Sequence, residues 1–153
     1  MRYKIILLCI SAFIISACGG ESEETNSVSY NKIESIKNII SNDVELPSPI
    51  LDLKFIEYSK GIPSRVPGPT DYEFFLRIKV AKSDLAKWSN NLKPPYNNTN
   101  TFASPQTPQD WWISKTIFQN MKLYETKTYF NRFNGWLCID KSNGYIYAYT
   151  FTM

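Results

Sequence analysis

The most regular pattern in the chain is the run DYEFFLRIKVAK at positions 71–82. Its apolar side chains recur at every second position from Tyr72 to Val80, and they alternate with Glu73, Arg77 and Lys79. A period of two is typical of a strand that has one buried face and one wetted face. The run therefore predicts a strand of an antiparallel sheet.

A second strand is predicted over Ile50–Ser59, where Leu51, Leu53 and Phe55 alternate with polar residues. Between the two strands, Lys60–Thr70 is rich in glycine and proline, which predicts a loop. This loop is too long for a tight hairpin, but it allows the two strands to pair antiparallel.

Two amphipathic helices are predicted. The first covers Ser29–Asn42, where isoleucines fall at helical spacing, and it either packs on the sheet or lies flat on a membrane. Its polar face mixes both signs of charge, which favours packing on the sheet. The second begins at Ser83-Asp84, buries Leu85, Trp88 and Leu92, and ends before Pro94-Pro95.

A long polar stretch, Lys93–Asp110, separates the second helix from the adjacent indoles Trp111 and Trp112. Loops of this length are often functional. Neighbouring side chains point in different directions on a strand or a helix. We therefore expect one indole to be buried and the other to cover the sheet edge or face a partner.

The last third of the chain predicts a three-strand meander. Its strands are Met121–Arg132, Trp136–Lys141 and Tyr145–Met153, with turns at Asn134-Gly135 and Asn143-Gly144. Asn-Gly between apolar runs is a strong hairpin signal because both residues tolerate positive φ.

The loop length of the last hairpin determines which residues share a face. An even length places Trp136, Cys138 and Asp140 with Tyr145, Tyr147, Tyr149 and Phe151, whereas an odd length exchanges the faces. Tyr145, Tyr147 and Tyr149 lie on one side in either case. They form either an exposed shelf for a protein, glycan or peptide, or a ladder covered by the helices. The candidate binding surface is therefore Trp111, Trp112, Tyr145, Tyr147 and Tyr149.

Together these elements predict one α+β domain over residues 29–153. We expect an antiparallel sheet of about five strands, with one or two helices packed on one face. Cys138, between Leu137 and Ile139, should be a buried free thiol.

The N-terminal segment has a different composition. A short basic start is followed by the uncharged run Ile5–Ile15, which is too short to span a membrane. Then comes Ile15-Ser16-Ala17-Cys18, an apolar residue and two small residues before a cysteine. This stretch resembles the lipobox of bacterial lipoproteins. A buried N-terminal helix and a plain signal peptide, with Cys18 incidental, are the alternatives.

The lipobox resemblance implies that residues 1–17 are cleaved and that Cys18 carries acyl chains, of the palmitate type, that anchor the protein to a membrane. Residues 18–28 would then be an acidic, disordered tether. Gly19 follows the cysteine in place of Asp, which in lipoproteins of the enteric type implies the outer membrane.

Several functions are disfavoured by composition. The chain contains no histidine, which removes the usual general base and the commonest metal ligand. Cleavage would remove Arg2 and Lys4 from the 17 basic side chains and none of the 14 acidic ones, so no strong field remains to attract nucleic acid. The carboxylates of Asp110, Glu125 and Asp140 are dispersed. We expect no enzymatic activity, no metal and no cofactor.

The layout resembles small uncharacterised lipoproteins of Gram-negative bacteria. The residues that carry this are the lipobox, the Trp111-Trp112 pair and the ending Ile139-Asp140 with Gly144-Tyr145-Ile146-Tyr147. The resemblance implies a shared fold and an envelope location, not an activity. We expect a lipid-anchored, non-enzymatic lipoprotein that acts as a binding or structural module of unknown partner. The alternative is a periplasmic immunity protein that neutralises an antibacterial effector toxin, and a toxin-like neighbouring gene would favour it. A hydrolase is a third, weaker hypothesis.

Overall fold

The computed structural model describes residues 24–25, 36, 40, 45–60, 71–93, 102–132 and 134–152. The predicted signal peptide, Cys18 and most of the predicted helix 29–42 lie outside these residues. Ile36 and Ile40 of that helix are helical and buried against the sheet. Among the described residues, no helix has the length and apolar character needed to cross a membrane.

An antiparallel sheet forms the centre of the domain. Its strands are β1 (Asp52–Lys60), β2 (Asp71–Lys79), β3 (Gly135–Asp140) and β4 (Tyr145–Phe151). They lie side by side in the order β1-β2-β4-β3, and each neighbouring pair is antiparallel. The strands predicted from the alternating patterns at 50–59 and 71–82 are therefore confirmed. Leu51, expected on the buried face, precedes β1 and is 59% exposed.

The α+β class is confirmed, but about five strands are not. The additional ladder joins Glu24 to Ile56 and Thr25 to Phe55, and it is two residues long. These two residues fall within the tether 18–28, for which the sequence predicts disorder throughout.

The predicted meander is confirmed only in its last hairpin. Within 121–132, a single bridge joins Tyr124 to Leu137, and Thr126–Thr128 forms a 3-10 helix. The backbone N–H groups of Tyr129 and Phe130 both donate to the carbonyl oxygen of Thr126, and both side chains are buried in one cluster. Successive residues of a strand point to opposite faces, so this segment cannot continue the sheet.

The sheet has an aliphatic face and an aromatic face, and both are covered. The aliphatic face carries Leu53, Phe74, Leu76, Ile78, Leu137, Ile139, Ile146 and Ala148. Helix α1 (Leu85–Asn90) covers it through Leu85 and Trp88. Asp84 occupies the N-cap position without a capping hydrogen bond, and its carboxylate pairs with Lys87 at 2.8 Å.

Hydrogen bonds and an ion pair hold helix α1 and segment 126–132 against the aliphatic face. The indole Nε1 of Trp88 donates to Ser48 Oγ at 2.9 Å, and the hydroxyl of Tyr129 donates to the carbonyl oxygen of Trp88. Arg132 donates to Glu57 Oε1 at 2.8 Å, and its guanidinium carbon lies 3.8 Å from the ring centroid of Tyr72. Segment 126–132 is thus fastened to the sheet without being part of it.

Helix α2 (Lys115–Phe118) lies on the aromatic side of the sheet. The expectation that helices pack on one face alone is therefore wrong. The physical reason is the chemistry of the strands: their alternate side chains on that side include Ile56, Phe75 and Trp136, all of them buried. Side chains of this size are stabilised when they are removed from water.

Candidate functional site

The aromatic face is closed by residues 102–121, here called the covering segment. Its centre is Trp112, whose ring centroid lies 5.3 Å from that of Phe75, 5.7 Å from Trp136 and 5.7 Å from Tyr147. Trp111 meets Trp112 edge-to-face at 5.8 Å. Aromatic pairs at these distances and tilts add to the stability that burial alone supplies.

Each indole N–H has an acceptor within the covering segment. Trp111 Nε1 donates to Gln109 Oε1 at 2.9 Å, and Trp112 Nε1 donates to the carbonyl oxygen of Ala103 at 2.9 Å. Because a buried N–H without a partner is costly, these bonds allow both rings to be buried. Trp111 is 4% and Trp112 9% exposed, so the expectation of a single buried indole is wrong and neither ring is exposed to face a partner.

Helix α2 completes the cover. Ser114 caps it by accepting a hydrogen bond from the N–H of Ile117 at 3.3 Å. Phe118 then lies with its ring 4.7 Å from Trp136 and 5.3 Å from Phe102. The part of the predicted loop Lys93–Asp110 that the structure describes after Lys93, residues 102–110, is thus part of a packed layer.

The last hairpin has the even loop length considered above. Asp140 pairs with Tyr145, Cys138 with Tyr147 and Trp136 with Tyr149. The four-residue loop 141–144 therefore places the tyrosines on the same face as Trp136 and Cys138.

The five residues of the predicted binding surface come together, but four of them form a core. Tyr147 and Tyr149 are 7% and 8% exposed, which agrees with the covered ladder and contradicts an exposed shelf. The cover is the loop with the two tryptophans rather than the predicted helices. Tyr145 is half-buried and lies 6.0 Å from Tyr147, beyond the covered part.

Burial keeps the titratable groups of this core neutral. It raises the pKa of the Cys138 thiol to about 12, with a further contribution from the nearby charge of Asp140. Burial also raises the pKa of Tyr147 to about 12, and that of Tyr149 to about 12 with the help of Glu73. A thiol that stays protonated is a poor nucleophile, so the prediction of a buried Cys138 is confirmed and its reactivity is low.

The carboxylate of Asp140 is hydrogen-bonded to the hairpin loop that follows it. Its Oδ1 accepts hydrogen bonds from the backbone N–H of Ser142 at 2.9 Å and of Asn143 at 3.3 Å. Its Oδ2 accepts from the side-chain amide of Asn143 at 2.7 Å. This carboxylate therefore shapes the turn that carries Gly144 at φ 78.

The aromatic face opens at one end, where β1 begins and β2 ends. Arg77 Nη2 donates to Asp52 Oδ2 at 2.7 Å, and its guanidinium carbon lies 4.6 Å from the ring centroid of Tyr145. Lys79 Nζ lies 5.8 Å from the same ring, and Lys54 is paired across the strands with Arg77. Arg77 and Lys79, which alternate with apolar residues in β2, were the sequence signal for this open end. The pattern did not indicate that both cations lie against the ring of Tyr145 on the neighbouring strand.

Within the described residues, no group of three or more Cys, Asp or Glu side chains is placed to hold a metal ion. The predicted lipidation site Cys18 lies outside those residues. No protein-family profile matches the sequence, and no curated protein or solved structure matches it significantly.

Proposed function

We propose that this chain is a lipid-anchored, non-enzymatic lipoprotein of the cell envelope that serves as a binding or structural module for a protein partner. The observation that carries the proposal is the lipobox-like stretch Ile15–Cys18 after an uncharged run of signal-peptide length. We place it in the outer membrane, facing the periplasm, because Gly19 follows the cysteine in place of Asp.

The non-enzymatic part of the proposal is supported by the state of the reactive groups. The chain has no histidine to act as a general base near neutral pH. The Cys138 thiol is buried with its pKa raised to about 12, and the Asp140 carboxylate is bound to its own turn. These groups have structural roles that account for their positions.

The two-residue ladder at Glu24–Thr25 supports a short connection to the membrane. We propose that it acts as a fifth, edge strand that joins the tether to the domain. Cys18 precedes Glu24 by six residues, and an extended chain covers at most ~3.6 Å per residue. The domain would then lie within roughly 20 Å of its anchor.

Metabolic labelling with an alkyne analogue of palmitate tests the anchor. We expect the parent chain to be labelled and processed, whereas Cys18→Ala should remain an unlabelled precursor. Cys9→Ala is the matched control, because Cys9 lies within the predicted signal peptide and should affect neither result. Labelling that persists in Cys18→Ala would overturn the lipoprotein proposal.

A further inference from the structure

The open end of the aromatic face forms a compact basic and aromatic surface. We define the basic patch as Lys54, Arg77, Lys79 and Tyr145, which occupy adjacent positions on β1, β2 and β4. All four are partly exposed, in contrast to Ile56, Phe75 and Tyr147, their buried neighbours on the same face. The covering segment therefore stops short of this end.

Arg77 gives the basic patch a fixed shape. Its side chain is 11% exposed and is clamped between the Asp52 carboxylate and the Tyr145 ring. The guanidinium supports the ring from one side, which is the geometry of a cation–π contact. The Tyr145 ring is thus held in place before any partner arrives, so little conformational entropy is lost on binding.

The carboxylates at this end already have partners within the chain, whereas the described residues offer the lysines no ion pair. Asp52 pairs with Arg77, Asp84 pairs with Lys87, and Asp140 accepts hydrogen bonds from its own turn. In the described part of the chain, no ion pair involves the lysines of this end: Lys54, Lys79, Lys82 and Lys141. Within the described residues these lysines are therefore free to pair with carboxylates of a partner, although Asp52 lies directly across the strands from Lys79.

Two more of these lysines lie at the same end of the sheet as the basic patch. The backbone N–H of Val80 donates to the carbonyl oxygen of Gly144 at 3.0 Å, which fixes the turn 141–144 at the end of β2. A Cβ on Gly144 would lie 3.4 Å from Cγ of Lys82. Lys82 and Lys141 therefore lie at the same end of the sheet as the patch.

We propose that the basic patch is the docking surface for an acidic segment of a partner protein. Carboxylates of the partner would pair with Lys54 and Lys79, and an apolar side chain would pack on the supported ring of Tyr145. Aromatic anchors surrounded by polar contacts are the usual source of affinity in protein interfaces. The inference rests on the proposed binding function, and the proposed anchor is used only to choose a protein over a lipid surface as the partner.

The direction of the edge ladder favours a protein partner over a lipid surface. From Thr25 to Glu24 the ladder runs from Phe55 to Ile56, that is, towards Lys60. A tether that continued in this direction would place the proposed anchor at the end of the sheet opposite to the basic patch. The basic patch would then face away from the membrane and towards other proteins of the envelope.

Fluorescence anisotropy with a defined probe tests this surface. The full chain in a non-ionic detergent would be titrated into a fluorescein-labelled peptide that contains six Glu residues and one Leu. The same peptide with Gln in place of Glu is the uncharged control. We expect binding of the Glu peptide alone, weakening as salt is added because exposed charges are screened.

Matched charge reversals locate the binding. Lys54→Glu/Lys79→Glu should weaken binding about tenfold or more. Lys115→Glu/Lys122→Glu changes the net charge equally at two exposed lysines outside the basic patch, and it should leave the affinity within about twofold. Circular dichroism and the melting temperature check that both variants are folded. Equal weakening by the two pairs, or no binding by the parent chain, would overturn the proposal.

Three further outcomes separate the docking proposal from lipid binding and from the lipoprotein proposal. If vesicles with anionic phosphatidylglycerol bind through Lys54 and Lys79 while the Glu peptide does not, the surface recognises lipid and the protein-docking proposal fails. If the parent chain does not bind the peptide but Cys18 is still labelled, docking fails and the lipoprotein proposal stands. If the parent chain binds the peptide but is not labelled, docking stands and the lipoprotein proposal fails.

Discussion

The ring of Trp112 stands edge-on to the ring of Tyr147, with centroids 5.7 Å apart and planes at 86°. Through this contact, a loop with little regular structure becomes the second cover of the sheet. Trp112 also contacts Phe75 and Trp136, so one side chain joins β2, β3 and β4. The domain therefore has three layers rather than the two expected from the strand pattern.

Removing either ring of this pair should destabilise the domain strongly. We expect Tyr147→Ala and Trp112→Ala each to lower the free energy of unfolding by ~3–5 kcal/mol, as aromatic truncations in cores do. Because the two rings touch, the double variant should lose less than the sum of the single losses. Urea denaturation followed by far-UV circular dichroism measures all three.

Ile117→Ala is the matched control for these variants. Ile117 belongs to the same covering segment but is 47% exposed, so its truncation should cost much less than a core aromatic. A Tyr147→Ala variant as stable as the parent would show that the covering segment does not close over β4.

The strands and the last hairpin could be predicted from the sequence because their signals are local. Alternation at 71–82 indicated which side chains share a face, and Asn143-Gly144 indicated the turn, where Gly144 takes φ 78. Gly135 also takes a positive φ, 126, yet it does not lie in a tight hairpin. A Cβ there would approach the carbonyl oxygen of Tyr149 to 1.8 Å, a long-range constraint that no local pattern shows.

The packing of the covering segment on the aromatic face could not be predicted, because alternation of apolar and polar residues does not show what packs against a strand. Glu73, Arg77 and Lys79 indicated a wetted face, and at the Lys79 end that is correct. Phe75 was the contrary signal: two adjacent phenylalanines, Phe74 and Phe75, must occupy opposite faces of a strand. Both are fully buried. The face of β2 that carries Phe75 is therefore buried at Phe75 and partly exposed at Lys79.

Because local patterns do not show what packs on a strand, the candidate site was predicted only in part. Strand geometry placed the three tyrosines together, whereas Trp111 and Trp112 were added to them only as aromatic residues outside the clear core strand. Whether they are exposed depends on where residues 102–121 pack, and that depends on contacts distant in sequence, such as Trp112 with Phe75. Burial of four of the five moved the candidate surface to Tyr145 and its basic neighbours.

Alkaline pH should destabilise the domain because the Cys138 thiol and the Tyr147 hydroxyl are buried in their protonated forms. In the unfolded chain Cys138 and Tyr147 lose their protons near their ordinary pKa values of 9.0 and 10.0, whereas burial raises both pKa values to about 12 in the folded state. Between pH 9 and 12 the unfolded state therefore binds fewer protons, and stability falls as pH rises. Below pH 9 this contribution is fully present. Urea midpoints at pH 7, 9, 10 and 11 measure the decline.

A thiol reagent provides the control for the alkaline prediction. In a Cys9→Ala/Cys18→Ala background, Cys138 is the remaining thiol of the chain. It should react slowly at pH 8 in the folded protein and fully after denaturation in urea. Tyr147→Phe removes one titrating group, so its midpoint should depend less steeply on pH between 9 and 11. Fast reaction of Cys138 under native conditions would contradict the burial on which the prediction rests.

Exchanging Asp140 and Asn143 tests the contact between their side chains. The single variant Asp140→Asn should destabilise the last hairpin, and the exchange of both residues should restore part of the lost stability. In Asp140→Asn the Asn143 amide, which now donates to Oδ2 at 2.7 Å, has to rotate so that its oxygen accepts from the new amide, and the hydrogen bonds to a charged group become neutral ones. Asp140 is 6% exposed, and a hydrogen bond to a charged group contributes ~1.5–3 kcal/mol against ~0.5–1.5 kcal/mol for a neutral one, so we expect a loss of ~1–2 kcal/mol. The swap Asp140→Asn/Asn143→Asp again pairs an amide with a carboxylate, and we expect it to recover part of this loss. Unfolding free energies of the two single variants and the swap measure the coupling. A swap that is no more stable than the sum of its single losses predicts would show that the backbone N–H donors of Ser142 and Asn143, rather than this side-chain pair, account for the role of Asp140.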